Sequence, residues 1–580
     1  MKTSHFSLQR SLLSLALMAA FAVPWAHAAT LTVDPTAADA ASAGDAKCSL
    51  REAVLSVNAA ANTGDCVANV TEAYGSNDTV TLPAGTYRLT LGGLDEKEVT
   101  PATTPPTLTN LPDAGIGDLD LRKSVKMVGA GSGTTRIAWD PAETDPTKTD
   151  RIFHIFTTDT TTANVNVAIQ GLTLASGKTF EVNLGIGPVP ATGPLPTNYY
   201  LRRAGGGLAL GGAAAIVLVD PNLSGADNAN AGGLGGSTGG ESGATAYTLV
   251  LTDVLVDANS AQGDGGGIYN AAPITATNVV VRNNTSTVNG GGLYNEGNAS
   301  IINSSLSGNT AEGGGGSFLT GSNTVRFSGT TLNGNRAVGG GAISGRSGVT
   351  INMVNSTISG NLGEDVGAGL YTNSPASLRF VTIANNISGA ESASAGSGIN
   401  VYPSGSVVVS LKNVLLSGNK RGWEFATYPN PADDPTLPLA NCGYTGSTMT
   451  ITSLGNNLSS DATCATLVQG TDMNGLDPKI GDLADNTGPT LTHALLADSP
   501  ALGAGAADTT VTVDQRGVTR DTVPDIGAYE VLAPVVPTGT GGGGGCSINP
   551  NAQFDGGLLG LLVAAAGGLL LRRRRNGASR

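Results

Sequence analysis

A unit of about 25 residues recurs through the middle of the chain and constrains its fold more than any other feature. Each unit ends a short apolar run at an asparagine, and these asparagines are Asn259, Asn284, Asn309, Asn335, Asn361, Asn386 and Asn419. Successive members are 25, 25, 26, 26, 25 and 33 residues apart. A glycine cluster follows most of them, as in DGGGIYN and NGGGLYN. A period of this length indicates a repeat architecture, in which each unit buries its surface against the next one.

The local pattern inside each unit favours short β-strands. Runs such as ATNVVVRNN and NMVNSTISGN are rich in β-branched residues and bounded by Gly and Asn, whereas no run in this region has helical spacing of apolar residues over a sufficient length. We therefore predict an all-β parallel β-helix with two or three strands per winding and windings about 4.8 Å apart. Aliphatic residues such as Val281, Leu306 and Leu332 would stack in one inward column. The asparagines would occupy corners, where they tolerate left-handed backbone angles.

Composition excludes two classes of protein. Charged residues make up 13% of the chain and apolar residues 40%, which is not the composition of a disordered chain. The formal net charge is −14, with 31 basic and 45 acidic residues. The chain therefore lacks the basic balance of a nucleic-acid-binding protein, and we expect no nucleic acid as a partner.

The first residues have the three parts of a signal peptide. Two basic residues precede the apolar run SLLSLALMAAFAV, and the small-residue motif Ala-His-Ala ends at Ala28. We predict removal of residues 1–28 by cleavage between Ala28 and Ala29. A mature membrane anchor is the less favoured alternative, because the apolar run is short. Export would bring the chain into an oxidising compartment.

The five cysteines fall into two close pairs and one single residue. Cys48 and Cys66 lie near the start of the chain, and Cys442 and Cys464 lie beyond the repeats. We predict a Cys48–Cys66 and a Cys442–Cys464 disulfide, which would hold the irregular ends that no neighbouring winding stabilises. Metal binding by these cysteines is the weaker alternative, because the chain has no CxxC motif. Cys546 is left over.

A short helix is predicted immediately after Cys48. Ser49 can cap it, and Glu52 three positions later completes a capping box. Leu50, Val54 and Val57 would then share one face. We expect this helix to cover the open N-terminal end of the solenoid, as the terminal caps of repeat proteins do.

Two long motifs carry a resemblance to known families. The stretch CSLREAV, then Cys66, then DTVTLPAGTYRL is similar to the CSLREA-motif family of bacterial surface proteins. The region from Leu454, through SLGNNLSSDATC to PDIGAYE ending at Glu530, resembles the choice-of-anchor Q module. The glycine and asparagine repeats are also similar to the passenger domains of polymorphic outer-membrane proteins. The resemblance implies a right-handed parallel β-helix at the cell surface or outer membrane of a Gram-negative bacterium, and it brings no established catalytic activity.

The C-terminal end resembles a tripartite sorting signal. A linker with prolines and five consecutive glycines leads to Cys546, an apolar stretch covers Gly556–Leu571, and Arg572–Arg575 follow. This order is similar to the GlyGly-CTERM, MYXO-CTERM and JDVT-CTERM signals. The resemblance implies processing near Gly545 and Cys546 by sorting machinery, with an anchor on the new end or release from it. An uncleaved transmembrane tail anchor remains the alternative.

These features divide the chain into six parts. Segments 92–118, 178–204 and 221–245 break the period and are expected to be loops that protrude from corners of the solenoid. The predicted parts are a signal peptide 1–28, an N-terminal cap with the first coils 29–123, the β-helix 124–420, a C-terminal cap 421–531, a linker 532–545 and a sorting signal 546–580.

The acidic residues of the repeats do not predict a catalytic pair. Glycoside hydrolysis needs two carboxylates roughly 5–10 Å apart, so neighbouring windings should carry acids at equivalent positions. The candidates are Asp253, Asp257, Asp264, Glu296, Glu312, Glu364, Asp365 and Glu391. Asp257 is followed in register by Arg282 and Ser307, so no acidic column forms there. We interpret Glu364 and Asp365 as a solvated corner.

The remaining polar candidates are also interpreted as structural. His154 and His493 stand alone in the sequence, and GAGSGTT at Gly129 has no helix after it to form a nucleotide site. A compact charged cluster is expected to close the last turn of the solenoid, and it consists of Asp514, Arg516, Arg520 and Asp525. We therefore predict no catalytic residue, cofactor site or metal ligand.

One recurring surface feature could bind a ligand. Tyr269, Tyr294, Phe318 and Tyr371 each follow an inward position by one residue, so alternation directs them outward, where they could form a ladder that binds a glycan or a surface protein. A packing ladder covered by a loop is an equal alternative. We favour a secreted, surface-anchored adhesion or recognition protein without catalysis. The alternative is a polysaccharide lyase or glycoside hydrolase with a site near 178–204 and 221–245.

Overall fold

In this computed structural model the chain forms a parallel β-helix, capped at its N-terminal end by one short helix. The structure describes residues 28–41, 44–69, 73–75, 77–92, 99–100, 107–108, 115, 117–140, 143, 149–155, 165–178, 182–183, 200–201, 208–210, 247–402, 407–424, 436–444 and 450–532. The signal-peptide core, most of segments 178–204 and 221–245, and the predicted processing zone at Gly545 and Cys546 lie outside these residues. Within them, no helix has the length and apolar character needed to cross a membrane.

The windings between Tyr247 and Gly345 each contain four strands, more than the two or three that we predicted, whereas the next two windings contain three because their first strand is continuous with their second. One winding, for example, consists of Ile274–Thr277, Val280–Arg282, Thr285–Ser286 and Leu293–Asn295. The sequence did not reveal the strand after the recurring asparagine because it is short, only two residues in Thr285–Ser286, and is followed by a glycine cluster. Corresponding strands pair in parallel and form four columns.

The first two columns belong to one large sheet. The first column contains Thr30–Thr32, Asp78–Leu82, Val125–Gly129, Val165–Gln170, Tyr247–Thr252, Ile274–Thr277, Ala299–Ile302, Thr324–Ser328, Thr350–Ser359, Ala376–Ala384, Val409–Lys412 and Ile451–Ser453. The second contains Gly85–Leu89, Thr135–Trp139, Thr173–Ala175, Leu255–Asp257, Val280–Arg282, Ser305–Ser307, Thr331–Asn333, Leu415–Ser417, Leu458–Ser459 and Met473–Asn474. Two long strands, Thr350–Ser359 and Ala376–Ala384, run through both columns.

The other two columns are separate sheets. The third contains Ser260–Ala261, Thr285–Ser286, Thr310–Gly313, Arg336–Gly339, Leu362–Val366 and Ile387–Ser388. The fourth contains Leu119–Leu121, Phe153–Ile155, Leu208–Leu210, Ile268–Asn270, Leu293–Asn295, Ser317–Leu319, Ile343–Gly345, Leu370–Thr372, Ile399–Val401 and Cys442–Tyr444. In the described part of the chain, antiparallel strand pairs outside the columns are Val99–Thr100 with Thr107–Leu108, Val182–Asn183 with Tyr200–Leu201, and Ile480–Ala484 with Thr492–Leu495.

The predicted aliphatic column is confirmed. Val281 pairs in register with Leu306, and Leu306 pairs with Leu332. All three side chains are buried in one continuous core cluster. Because the inward side chains of each winding pack on those of the next one, the hydrophobic core extends along the axis of the solenoid.

The recurring asparagines form a buried ladder, and our expectation about their backbone angles was wrong. Asn284 donates from its backbone nitrogen (3.0 Å) and from Nδ2 (2.9 Å) to Oδ1 of Asn309 in the next winding. The left-handed backbone angle belongs to the residue before each ladder member, such as Asn283 (φ 55°) and Gly308 (φ 63°). That preceding residue makes the corner, so the asparagine side chain can point inward and reach its neighbour.

The predicted N-terminal helix spans Leu50–Ala59 and has the expected capping box between Ser49 and Glu52. Its Asn58 side chain donates to the carbonyl of Asp120 (2.7 Å) and accepts from the backbone nitrogen of Arg122 (3.0 Å). These bonds satisfy the open edge of Leu119–Leu121, the first strand of the fourth column. The helix therefore caps this sheet edge, which would otherwise expose unpaired backbone groups.

Both predicted disulfides are present. Cys48 is bonded to Cys66, with their Cα atoms 4.3 Å apart, and Cys442 is bonded to Cys464, with their Cα atoms 4.8 Å apart. The first bond lies beside the capping helix. The second joins the last strand of the fourth column to the segment that follows Asp461, whose Leu467 belongs to the core cluster. Each disulfide thus holds an end of the solenoid.

The C-terminal segment 478–531 lies along the outer wall, where it does not close the last turn as we had expected. Thr331 Oγ1 donates to the carbonyl of Leu491 (2.7 Å), and Thr357 Oγ1 donates to Oε1 of Gln515 (2.7 Å). Thr331 and Thr357 occupy equivalent positions of successive windings in the second column. The segment therefore runs back across several windings and covers their outer face.

Candidate functional site

The outer face of the fourth column carries a row of stacked aromatic rings. Tyr269, Tyr294 and Phe318 are register partners in successive windings. Their ring centroids are 5.1 Å and 5.5 Å apart, with interplanar angles of 7° and 5°. Ser344 takes the next position, and there the guanidinium carbon of Arg346 lies 5.2 Å from the ring centroid of Phe318.

Arg346 extends the row to Tyr371, the fourth aromatic residue of the predicted ladder. Its guanidinium carbon lies 5.8 Å from the ring centroid of Tyr371. Contacts of this length between a cation and an aromatic face are attractive. We call Tyr269, Tyr294, Phe318, Arg346 and Tyr371 the aromatic row. The predicted outward ladder therefore stacks, with an arginine completing it where a ring is missing.

The glycine cluster before each ring permits this close stacking. A Cβ atom on Gly292 would lie 2.6 Å from the carbonyl oxygen of Gly316 and 3.0 Å from Nδ2 of Asn309. Real carbon atoms do not approach a carbonyl so closely, so a side chain here would push the windings apart. The glycines therefore allow successive windings to approach closely in the segment between the asparagine ladder and the aromatic row.

Two carboxylates lie beside the aromatic row, with Asp264 before the strand of Tyr269 and Glu296 directly after the strand of Tyr294. Tyr294 donates from its hydroxyl to Oε1 of Glu296 (2.9 Å), and Asn289 donates to Oδ1 of Asp264 (3.0 Å). Burial, followed by the nearby negative charges of Glu296 and Asp264, raises the pKa of the phenol groups of Tyr269 and Tyr294. Both tyrosines therefore remain neutral hydrogen-bond donors at physiological pH.

Stacking decides which parts of these rings a ligand can touch. Tyr294 has a ring over each of its faces, and Phe318 is only 7% exposed. The tyrosines of the row are partly exposed, so their edges and hydroxyl groups are what they present to solvent. A ligand would therefore form hydrogen bonds and edge contacts along this row, since the inner ring faces are covered.

A buried polar cluster occupies the same outward positions at the N-terminal end of the fourth column. Asp120 pairs in register with His154, and the position then continues through Ala209 to Tyr269. One ligand atom from each of Asp118, Asp120 and His154 lies within 4.8 Å of the others, so these three residues could hold a metal ion. Our sequence interpretation of His154 as an isolated residue was therefore wrong.

An arginine lies inside this polar cluster. Arg151 forms an ion pair with Asp118, and its Nη2 lies 3.4 Å from Nδ1 of His154. Nδ1 of His154 also lies 3.4 Å from Oδ1 of Asp120. The side chains of Asp118 and Asp120 are 0% exposed and that of His154 is 3% exposed. The arginine compensates carboxylate charge that would be costly to bury alone.

Part of this cluster had a sequence signal that we did not use. In Asp118-Leu119-Asp120 the alternation of a strand places both acids on one face. Their proximity to His154 could not be predicted from spacing, because the intervening residues do not follow the 25-residue period.

The acids of the central repeats form separate pairs. Asp257 pairs with Arg282 (3.1 Å), and Glu364 pairs with Arg336 (2.7 Å). Asp253 accepts from the side chain of Asn278 (3.1 Å). Each of these contacts joins neighbouring windings at the surface, so these acids support the stacking of windings rather than converging on one point.

The charged cluster predicted in the C-terminal region is present but fastens the segment 478–531 to the wall. Arg520 pairs with Glu530 (2.9 Å), donates to Oδ1 of Asn355 (3.0 Å) and lies 3.9 Å from the ring centroid of Phe380. Arg516 pairs with Asp514 (2.8 Å). Burial raises the pKa of the carboxyl groups of Glu530 and Asp525. His493 adds to this attachment, because its Nε2 forms a hydrogen bond with the hydroxyl group of Ser359 (2.8 Å).

Comparison with known proteins gives similarity of fold only. No protein-family model and no curated protein matches the chain. The pectate lyase Pel9A matches at 10% identity and a TM-score of 0.34, covering 78% of this chain and 88% of its own. ORF18 of Geobacillus virus E2 matches at 10% identity and a TM-score of 0.29, covering 73% of this chain and 64% of its own. The A-module of the Azotobacter vinelandii mannuronan C-5 epimerase AlgE6 matches at 13% identity and a TM-score of 0.24, covering 70% of this chain and 98% of its own.

Proposed function

We propose that this chain is an exported protein, held at the bacterial cell surface, that recognises an extracellular glycan or surface protein without catalysing a reaction. The observation that carries the proposal is the aromatic row, which extends over five windings on the outer face of the fourth column. The partly exposed tyrosines of the row and the carboxylate of Glu296 offer hydrogen-bonding and ring-edge contacts along this face.

Several features support export. Two disulfides at the ends of the solenoid fit an oxidising compartment, where such bonds persist. The N-terminal apolar run with Ala28 and the C-terminal Cys546 region add sequence support for secretion and sorting.

A second candidate is a polysaccharide lyase or glycoside hydrolase, and the buried polar cluster is the observation in its favour. Two carboxylates, a histidine and an arginine meet there. However, the side chain of Asp120 is 0% exposed and that of His154 is 3% exposed. A polymer substrate must reach its catalytic groups, so we prefer recognition without catalysis.

The test is binding of the mature chain to immobilised glycans and cell-surface proteins, compared with a Tyr269→Phe, Tyr294→Phe double variant. These substitutions remove the two hydroxyl groups but keep the stacked rings, so the fold is preserved. We expect affinity to fall by roughly ten-fold, since each lost hydrogen bond is worth about 0.5–1.5 kcal/mol. The matched control is Val250→Ala with Thr275→Ala, on the exposed outer face of the first column.

The proposal fails if the row variant and the control bind equally well. Release of reducing or unsaturated sugars from a polysaccharide panel would instead support the enzyme, especially if Asp120→Asn abolished that release while Asp257→Asn did not.

A further inference from the structure

We propose that the new amino terminus created by cleavage before Ala29 binds in a buried carboxylate site formed by Asp78, so that signal-peptide removal locks the first winding of the β-helix. This inference rests on the export part of the proposed function and is independent of the ligand. The binding groups are the α-ammonium of Ala29 and both carboxylate oxygens of Asp78.

The site exists around the peptide nitrogen of Ala29. Asp78 is 1% exposed, and its Oδ1 accepts from the backbone nitrogens of Ala29 (2.9 Å) and Gly75 (2.9 Å). Its Oδ2 is buried and has no hydrogen-bond partner among the described residues. Ala29 itself is 0% exposed. The predicted first residue of the mature chain thus already touches a buried acid.

Cleavage of the signal peptide supplies the positive charge and the additional N–H donors that could satisfy Asp78. While residue 28 is attached, the nitrogen of Ala29 has one hydrogen and no charge, so it can serve only one carboxylate oxygen. Hydrolysis of the Ala28–Ala29 bond leaves a carboxylate on Ala28 and an amine on Ala29, which takes up a proton. The ammonium has three hydrogens and a positive charge, so it can donate to both Oδ1 and Oδ2 of Asp78.

The ammonium of Ala29 would bind Asp78 because a buried carboxylate without a cationic partner is costly. Burial disfavours the charged form of the Asp78 carboxyl and raises its pKa, although backbone hydrogen bonds from Gly75 and Ala29 act in the opposite direction. Charge-assisted hydrogen bonds are roughly twice as strong as neutral ones. The same contact therefore becomes stronger when the amide of Ala29 is converted into an ammonium.

The position in the fold makes this contact consequential. Ala29 directly precedes Thr30–Thr32, the terminal strand of the first column, which among the described strands pairs with Asp78–Leu82 alone. Asp78 opens that partner strand. An ion pair between the beginnings of the two strands would therefore hold this terminal strand on its neighbour.

The experiment begins with mass spectrometry of the exported chain, which is expected to start at Ala29. Three variants are then compared with it, namely Asp78→Asn, a form with Gly-Ser inserted before Ala29, and the combination of both. The insertion moves the ammonium away from the site but retains the peptide nitrogen. The matched control is Asp34→Asn, an acid in the same winding whose side chain bonds locally to Thr36.

The readout is amide hydrogen exchange of Leu31 and Thr32 together with the melting temperature. We expect each single variant to accelerate exchange by on the order of ten-fold and the combined variant to add nothing further, because both remove one ion pair. The control should exchange as the parent chain does. A different mature amino terminus, an insertion without effect, or additive effects of the two changes would each overturn the proposal.

Discussion

Asn441 donates from its backbone nitrogen to Oδ2 of Asp461 at 2.9 Å, at the point where the asparagine ladder ends. Each earlier member both accepts from the winding before it and donates to the winding after it, as Asn419 does to Asn441. A carboxylate can only accept, so Asp461 completes the series without needing a further neighbour. Asp472 plays the same part for Asn457, with a distance of 3.0 Å.

We predict that Asp461→Asn destabilises the C-terminal windings. Oδ1 and Oδ2 of Asp461 both accept from N–H or O–H donors, at Thr463 and Asn441. An amide group would turn a donor toward one of these donors, which costs about 1–3 kcal/mol for the buried group left without a partner. Urea unfolding measures the loss.

The matched control is Asp253→Asn, at an exposed corner with φ 53°. Asparagine tolerates this backbone angle, so we expect a change within about 0.5 kcal/mol. Equal effects of the two substitutions would show that Asp461 has no special role in ending the ladder.

Stability should depend on pH through His493. Its Nδ1 lies 2.7 Å from the carbonyl oxygen of Gly481, so Nδ1 must donate, and Nε2 of the neutral ring accepts from the hydroxyl of Ser359 at 2.8 Å. Burial is the largest cause that lowers the pKa of His493 below its ordinary value of 6.5. The unfolded chain therefore binds the proton more readily than the folded chain does.

Neutral His493 therefore contributes fully to the free energy of unfolding above pH 6.5. This contribution is lost as the pH falls below 6.5 toward the lowered pKa of the folded chain. We expect the melting temperature to fall with acidification in this range, and to fall less in His493→Gln. Identical pH profiles of the variant and the parent chain would contradict this account.

The attachment of segment 478–531 to the wall predicts the effect of Thr357→Val. The threonine hydroxyl donates to Oε1 of Gln515, and Nε2 of Gln515 donates to Thr331 (2.8 Å). Valine has the same shape but no donor, so the buried amide oxygen loses its partner at a cost of about 1–3 kcal/mol. Limited proteolysis should then cut segment 478–531 earlier than in the parent chain. Thr275→Val, on an exposed face, should leave the cleavage rate unchanged.

Removing the Cys442–Cys464 disulfide by double substitution with serine should destabilise the C-terminal end. The two cysteines are 22 residues apart, and closing a loop of this length contributes about 3 kcal/mol in the chain-entropy model. Thermal unfolding followed by circular dichroism measures the change. Cys546→Ser is the control, and an equal shift in that variant would contradict the prediction.

The parts of the fold that could be predicted are those encoded by short-range periodicity. Val281 and Leu306 lie 25 residues apart, and the structure places them side by side because every residue between them belongs to one winding. The capping helix was visible through Ser49 and Glu52, since a capping box is a local signal.

Contacts between distant, irregular segments could not be predicted. Gln515 and Thr357 are 158 positions apart and share no repeat, so nothing in the sequence indicates that segment 478–531 turns back along the wall. Asp120 and His154 meet across residues that break the period. The aromatic row was predicted from alternation, but Arg346 was not, because it reaches the row from beyond the strand that carries Ser344.

The aromatic row and the register beneath it are tested most directly by disulfide crosslinking. Tyr269→Cys with Tyr294→Cys places two thiols on adjacent strands about 4.8 Å apart, within the range that a disulfide spans. Tyr269→Cys with Phe318→Cys skips one winding, at about 9.6 Å, beyond that range. The account predicts rapid crosslinking of the first pair and none of the second under mild oxidation. Crosslinking of the second pair, or failure of the first in a folded chain, would contradict it.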